Sequence, residues 1–518
     1  MRPCAMRFTR FGLPAMMLII ASFACGPLSV VIQPTVVPPT APQPAPTLTP
    51  AGPETAPTPG GGILHASGPW LIFTTGHQDE SAGSWVINGL WAVNPDGSGL
   101  KQLISDANLK APQNLQAAVS PSGGHIAYIS AKTGTGYENL TLHLLSLPGG
   151  GDKIITPLTN KDTEPGPDNS NSSDSSIRAT YAIVAEGSLA WSPDGTRLAF
   201  VGAQDGPTAD VYVYTLADGS VERLTSGSSQ AYNPTWSPDG KYVVHSGAGM
   251  KGIGQGYFNT EGVWAAPADG SKVITLYQPH SSGETFVGWA GSHTFLVYSY
   301  ASSGPRDLRT FNIDSLQTTT VWSDAMCQYG ENSPAEVAFD PASGAVLIPV
   351  EPYITSNAPD LQTGMYLANT NGAKPKHISD LVGRDPVWSK QAGVFFAKTD
   401  KGAVEVKPDG VVTQLPAPIA VRPVLSPDAH AWLWASDGFN DVPLGLWIGA
   451  VGPEAPSQVV NARVVYAAWS PDGQNILFVQ SAGSKDLQLY RVARPDGKPI
   501  LIHQDVTTNL ESAAWLTP

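Results

Sequence analysis

The chain has 518 residues, more than one hydrophobic core usually serves, so it holds either several domains or a repetitive architecture that adds core unit by unit. Only 14% of the residues are charged, and 53 glycines with 47 prolines point to many short strands joined by tight turns rather than to long helices. A net charge of −14 without clustered Lys/Arg argues against nucleic acid as a partner, and the three cysteines, Cys4, Cys25 and Cys327, offer no disulfide framework.

Taken in chain order, Arg2, Arg7 and Arg10 form a positive start before the apolar run Phe11 to Ala24, too short to span a bilayer permanently; residues 1–24 read as a signal peptide. The run ends in Ala21-Ser22-Phe23-Ala24-Cys25-Gly26, which resembles the bacterial lipobox. That resemblance implies lipidation of Cys25 and a membrane anchor, although Ser22 and Phe23 depart from the usual pattern, and ordinary cleavage would give a secreted protein. Residues 25–67 then read as the anchor cysteine and a linker. From Gln33 to Gly62 the composition is almost wholly Pro, Thr, Ala and Gly, with no apolar periodicity. At about 3.1 Å per residue in the polyproline form, this stretch holds a folded body on the order of 90 Å from its anchor.

From residue 68 to 518 the chain repeats itself. W-S-P-D-G occurs at Trp191, Trp236 and Trp469, and weaker copies begin at Val119, Trp289, Phe339, Trp388, Leu425 and Trp515. From Trp191 onward the spacings are 45, 53, 50, 49, 37, 44 and 46 residues, a period characteristic of stacked supersecondary units. A run rich in β-branched and aromatic residues follows each copy, such as Arg197 to Val201. An alternating segment such as Asp210-Val211-Tyr212-Val213-Tyr214 and a last short strand such as Val221 to Thr225 complete four strands per unit. In S-P-D-G, proline presets φ, aspartate bonds its local backbone and glycine takes the left-handed conformation. A second turn ends in Asp-Gly in most units, as at Asp218-Gly219, Asp269-Gly270 and Asp409-Gly410. These aspartates are therefore read as structural, and the repeat tryptophans as blade-to-blade packing.

The W-S-P-D-G repeats resemble those of the TolB-like propellers, a likeness that covers about residues 68–518. It implies an all-β fold, a β-propeller of four-stranded blades around a central channel. TolB itself carries an α/β domain ahead of its propeller, where this sequence has the proline-rich spacer, so the partners of TolB are not carried over. Nine repeats are counted, with eight as the alternative, because the span from Val119 to Trp191 holds an insertion over Asn160 to Ile177 and the unit at Trp388 is short. The first unit lacks its first strand, while the last residues, Ala513-Ala514-Trp515, match Ala467-Ala468-Trp469. Pairing of that C-terminal strand beside Phe73 would close the ring and leave no open edge.

Connections between strands one and two and between three and four read as tight, those between strands two and three and between blades as long. Both long types emerge at one end of a propeller, which predicts one variable, ligand-bearing face. Its candidate residues are His77, Asp79, Glu80, Trp85, Tyr257, Phe258, Gln328, Tyr329, Asp437, Phe439, Asn440 and Asp441. None forms a catalytic motif: G-x-S-x-G is missing, and neither the acidic insertion nor the histidines have metal-ligand spacing. The expected function is a monomeric extracytoplasmic scaffold, anchored to the membrane by lipid, that binds a protein or glycan of the envelope or extracellular space. It needs no cofactor and no metal; the alternative is a propeller-type hydrolase or lyase acting on envelope or extracellular polymers.

Overall fold

The computed structural model describes residues 63–79, 84–111, 115–132, 138–147, 151–160, 180–181, 183–185, 189–227, 229–249, 259–271, 274–277, 284–299, 307–322, 337–350, 362–415, 423–436, 443–450, 456–481, 487–494, 497–507 and 513–517. Residues 25–62 of the anchor and linker region, Cys327 and most of the 160–177 insertion lie outside them, while Leu64 is buried in the propeller core and His65 N donates to Asn94 Oδ1. Within these residues the chain is all-β, a propeller of nine four-stranded antiparallel blades. Its helix is limited to a few single turns such as Leu115–Ala118.

Local chemistry makes each blade. In the third blade (Leu189–Trp191, Arg197–Gly202, Asp210–Thr215, Val221–Arg223) the first turn closes through Ser192, whose hydroxyl donates to Asp194 Oδ1 at 2.5 Å and accepts from the Arg197 amide at 2.9 Å. Asp194 also accepts from the Thr196 amide, and Gly195 sits at φ +69°, where a side chain would be strained. The same serine-to-aspartate bond recurs at Ser237 and Asp239, Ser426 and Asp428, and Ser470 and Asp472. Successive turns also touch: a Cβ placed on Gly195, Gly240 or Gly473 would lie 3.5–3.8 Å from the proline of the preceding blade's turn, Pro121, Pro193 or Pro427.

Between blades the core is a series of two-sheet layers. Ala199, Val211 and Val213 of blade three meet Ala231, Trp236, Val243 and Ala266 of blade four (Gln230–Trp236, Tyr242–Gly249, Asn259–Pro267, Ile274–Tyr277). Three of the repeat tryptophans add a directional bond, while the indole nitrogens of Trp289 and Trp515 are buried without a partner among the described residues. The indole of Trp191 donates to Ala118 O at 2.9 Å, that of Trp236 to Ala190 O at 2.9 Å, and that of Trp469 to Val424 O at 3.1 Å. Each carbonyl belongs to the residue just before the preceding blade's own anchor, so one bond repeats in register and satisfies a buried N–H. Across the turn end of blades four and five, His293 donates to Asp239 (2.7 Å) and Asp314 (2.6 Å), and these two carboxylates raise its pKa.

Closure follows the sequence expectation. Ala513–Leu516 pairs antiparallel with Trp70–Asp79, Trp515 opposite Leu71 and Ala513 opposite Phe73. The second half of the same strand is gripped by residues 505–507: Gly76 donates to Asp505 O, Thr507 to Thr74 O, and the two threonine hydroxyls lie 2.6 Å apart. Leu71, Phe73 and Val93 of the first blade share a core layer with Leu477, Val479, Leu487 and Leu489 of the ninth.

Two details depart from the expected regularity. Lys101–Ala111, the last strand of blade one, runs on so that Asn108 to Ala111 pairs with His125–Ala131 of blade two; the first strand of blade two is thus shared between this extension and a single bridge from Val119 to Ile126. In blade seven, strands two and three (Val394–Thr399 and Gly402–Val406) are joined by Asp400 and Lys401 alone, with the Thr399 hydroxyl bonded to Gly402 O. This tight turn accounts for the 37-residue spacing and is an exception to the long strand-two-to-three connections.

Removing residues 513–518 strips four ladder pairs and uncovers Leu71 and Phe73, each worth about 1.5–3 kcal/mol of apolar burial. The expected result is a thermal midpoint lower by about 5 °C or more, and an unchanged midpoint would contradict closure through this strand.

Candidate functional site

Where described residues bear on the variable face, the site that emerges is a cleft of about 240 Å³ between blades three and four. It lies at the end of Asp210–Thr215 where strand three begins and along the crossover from Thr225 to Gln230, so it belongs to the end opposite the S-P-D-G turns. Its polar wall is prearranged. Asp210, buried, accepts from the Thr225 hydroxyl (2.8 Å) and from Arg223 Nη2 (2.6 Å), while Arg223 Nε donates to Thr225 O. Burial pushes the Asp210 carboxyl above its ordinary range, against the pull of Thr225, Arg223 and Thr208. Gln230 Oε1 accepts from the Ala209 amide at 2.7 Å and lies 3.1 Å from the Thr180 hydroxyl.

The floor is His245 and Trp264, cross-strand partners whose rings stack with centroids 5.9 Å apart and 14° between planes. Gly247 is required beside them, because a Cβ there would fall 2.2 Å from the indole. His245 Nδ1 lies 3.2 Å from the Ser246 carbonyl, which only accepts, so Nδ1 carries the proton and Nε2 presents a lone pair. That Nε2 is buried and has no hydrogen-bond partner among the described residues. Burial pulls the His245 pKa down to about 4.

The repeat shows how unusual this histidine is. In every blade the equivalent position lies two residues beyond the partner of the anchor residue: Phe73, Tyr128, Phe200, His245, Val297, Ile348, Ala397, Trp434 and Phe478. All are buried, and all but His245 are aliphatic or aromatic. Reading down this column of the sequence would have singled out His245; candidates chosen by loop membership passed over it.

Of the residues chosen from sequence, His77 is exposed near the end of Trp70–Asp79, and Asp79 and Trp85 stand on the adjoining strands of the same hairpin, with Gln78 paired to Trp85. Glu80, Tyr257, Phe258, Gln328, Tyr329, Asp437, Phe439, Asn440 and Asp441 lie outside the described residues. Nothing described brings the blade-one group and the cleft together. Among the described residues no three His, Cys, Asp or Glu side chains stand close enough to hold a metal ion.

Fold and repeat chemistry define the class: a nine-bladed β-propeller of TolB-like repeats. No family model matches the chain. It is similar to the Tol-Pal system protein TolB of Alcanivorax borkumensis, 29% identical over 112 residues, which are 21% of this chain and 25% of that protein. It is also similar to the uncharacterized peptidase YuxL of Bacillus subtilis, 37% identical over 54 residues, 10% of this chain and 8% of that one. The chain thus spans a quarter or less of the curated relatives it matches. A crystal structure of TolB from Acinetobacter baumannii aligns with a TM-score of 0.30 at 16% identity, over 63% of this chain and 68% of that one.

Because the native pKa of His245 lies near 4 and the ordinary value near 6.5, the unfolded chain binds a proton between those pH values that the native state refuses. Its contribution to stability is whole above about pH 6.5 and falls as pH drops toward 4, by about 3 kcal/mol at most. Thermal melts from pH 7 to pH 4 should show a steeper decline for the natural protein than for His245→Phe; parallel profiles would contradict a buried neutral imidazole.

Proposed function

We propose that the protein is an extracytoplasmic scaffold, tethered to the membrane through Cys25, whose variable propeller face binds a protein or glycan of the cell envelope or its surroundings. One observation carries the reading: the closed ring separates an end of short turns, where Gly195, Gly240 and Gly473 meet the preceding blade's proline in the same way, from an end where the blades differ. A rigid scaffold with its diversity confined to one end is the usual arrangement for recognition by loops. The apolar leader before Cys25 and the Pro/Thr-rich stretch after it support export and outward display. The partial similarity to TolB is consistent with this placement and names no partner for this chain.

Capture with the full-length chain, cross-linked in its native membranes, tests the recognition. A specific partner is expected to be retained when plain-end turn residues such as Asp218 or Asp409 are replaced, and lost when residues 251–258 and 438–441 are replaced by short Gly/Ser turns. Loss through the plain turns with retention through the loops would overturn the assignment of the binding face.

Attachment is tested separately. Cys25→Ala should move the protein from the membrane fraction to the soluble extracytoplasmic fraction, whereas unchanged membrane association would contradict a lipid anchor.

A further inference from the structure

Two features of the cleft between blades three and four are unexplained by propeller construction. At a position where the other blades place apolar or aromatic side chains, blade four places an imidazole that lines the cleft; its Nε2 is an acceptor, and among the described residues it is buried without a partner, as is the indole N–H donor of Trp434 at the same position of blade eight. Leaving a buried acceptor unsatisfied costs about 1–3 kcal/mol, which Phe, as used in blades three and nine, would avoid. The cleft it lines, about 240 Å³, has room for roughly eight waters at about 30 Å³ each, far more than one structural water would need.

We propose that this cleft is a subsite for a neutral hydroxylated ligand, a sugar ring or polyol, that lies against Trp264 and donates a hydroxyl to Nε2 of His245. The inference rests on the reading of this end as the binding face. The chemistry of the lining selects the class. An anion finds no unmatched positive charge, since Arg223 is paired with Asp210 and the imidazole is neutral. A cation finds no unmatched carboxylate, since Asp210 is already held by Arg223 and Thr225. What remains is a half-buried indole, the exposed Ser226 at the rim and a lone pair that needs a donor. A ring with C–H faces and O–H edges matches that mixture of apolar and polar surface. Nε2 has no accessible surface in this arrangement, so a ligand hydroxyl reaches it only after a side-chain shift over the floor.

The test uses the full-length chain labelled with 15N-histidine and titrated with D-glucose, N-acetyl-D-glucosamine and mannitol, with D-glucuronate as the charged control. A saturable shift is expected in one imidazole Nε2 resonance, the one missing from His245→Phe. That variant restores the apolar ring of the repeat, so it should fold with normal stability at neutral pH and bind the neutral ligand at least about tenfold more weakly. Ser226→Leu, on an exposed residue at the cleft rim, should weaken binding without touching the core. The proposal is overturned if no neutral sugar or polyol shifts that resonance, if Nε2 already carries a water hydrogen bond in the free protein and stays unchanged, or if glucuronate binds as well as glucose. Failure here with successful loop-dependent capture from membranes removes this subsite and leaves the binding face standing; failure of that capture removes the face itself.

Discussion

Each blade is a small sheet with two apolar faces, and neither is covered unless a neighbour stands against it. That mutual covering is the constraint on which the protein depends, because a four-stranded sheet cannot bury its own faces. In an open row the first and last sheets would each expose a face. Here the face of Leu71 and Phe73 meets that of Leu477 and Leu489, and the strand 513–516 joins the tail of the chain to its head. The indole bonds from Trp191, Trp236 and Trp469 fix the rotation of one blade against the next, which apolar packing alone does not specify.

Function follows from what this constraint leaves free. Turn-end residues are committed to neighbours: prolines pack on glycines, aspartates tie their own loops, and His293 clamps two blades. At the other end the connections can vary in length and composition without disturbing the stack. The cleft between blades three and four shows this freedom reaching inward, where a histidine replaces the expected apolar side chain and a glycine makes room for an indole.

The architecture was legible because its signals are local and repeated. A S-P-D-G turn needs only a few neighbouring residues to close, so three exact copies and six weaker ones announce nine blades, and a head lacking its first strand beside a tail that supplies one reveals the closure. The shared strand of blade two was not legible, since residues 108–111 serve that blade by continuing out of the previous one, and no motif marks such a crossover. The tight turn of blade seven was visible only as a short spacing. The cleft escaped notice because Asp210, Gln230 and His245 come from separate strands of two blades, and because loop composition draws attention to exposed residues rather than to a buried misfit in a strand. Among the residues chosen for the variable face, only His77, Asp79 and Trp85 fall where the structure describes them.

Amide hydrogen exchange of the full-length protein, followed by mass spectrometry, tests the central claim most directly. If the ring is closed, peptides covering 70–73 and 513–516 exchange as slowly as the strand Asn475–Ser481 of blade nine, and all three become exposed in one cooperative step as denaturant is raised. Rapid exchange at 513–516 while 475–481 stays protected would contradict it.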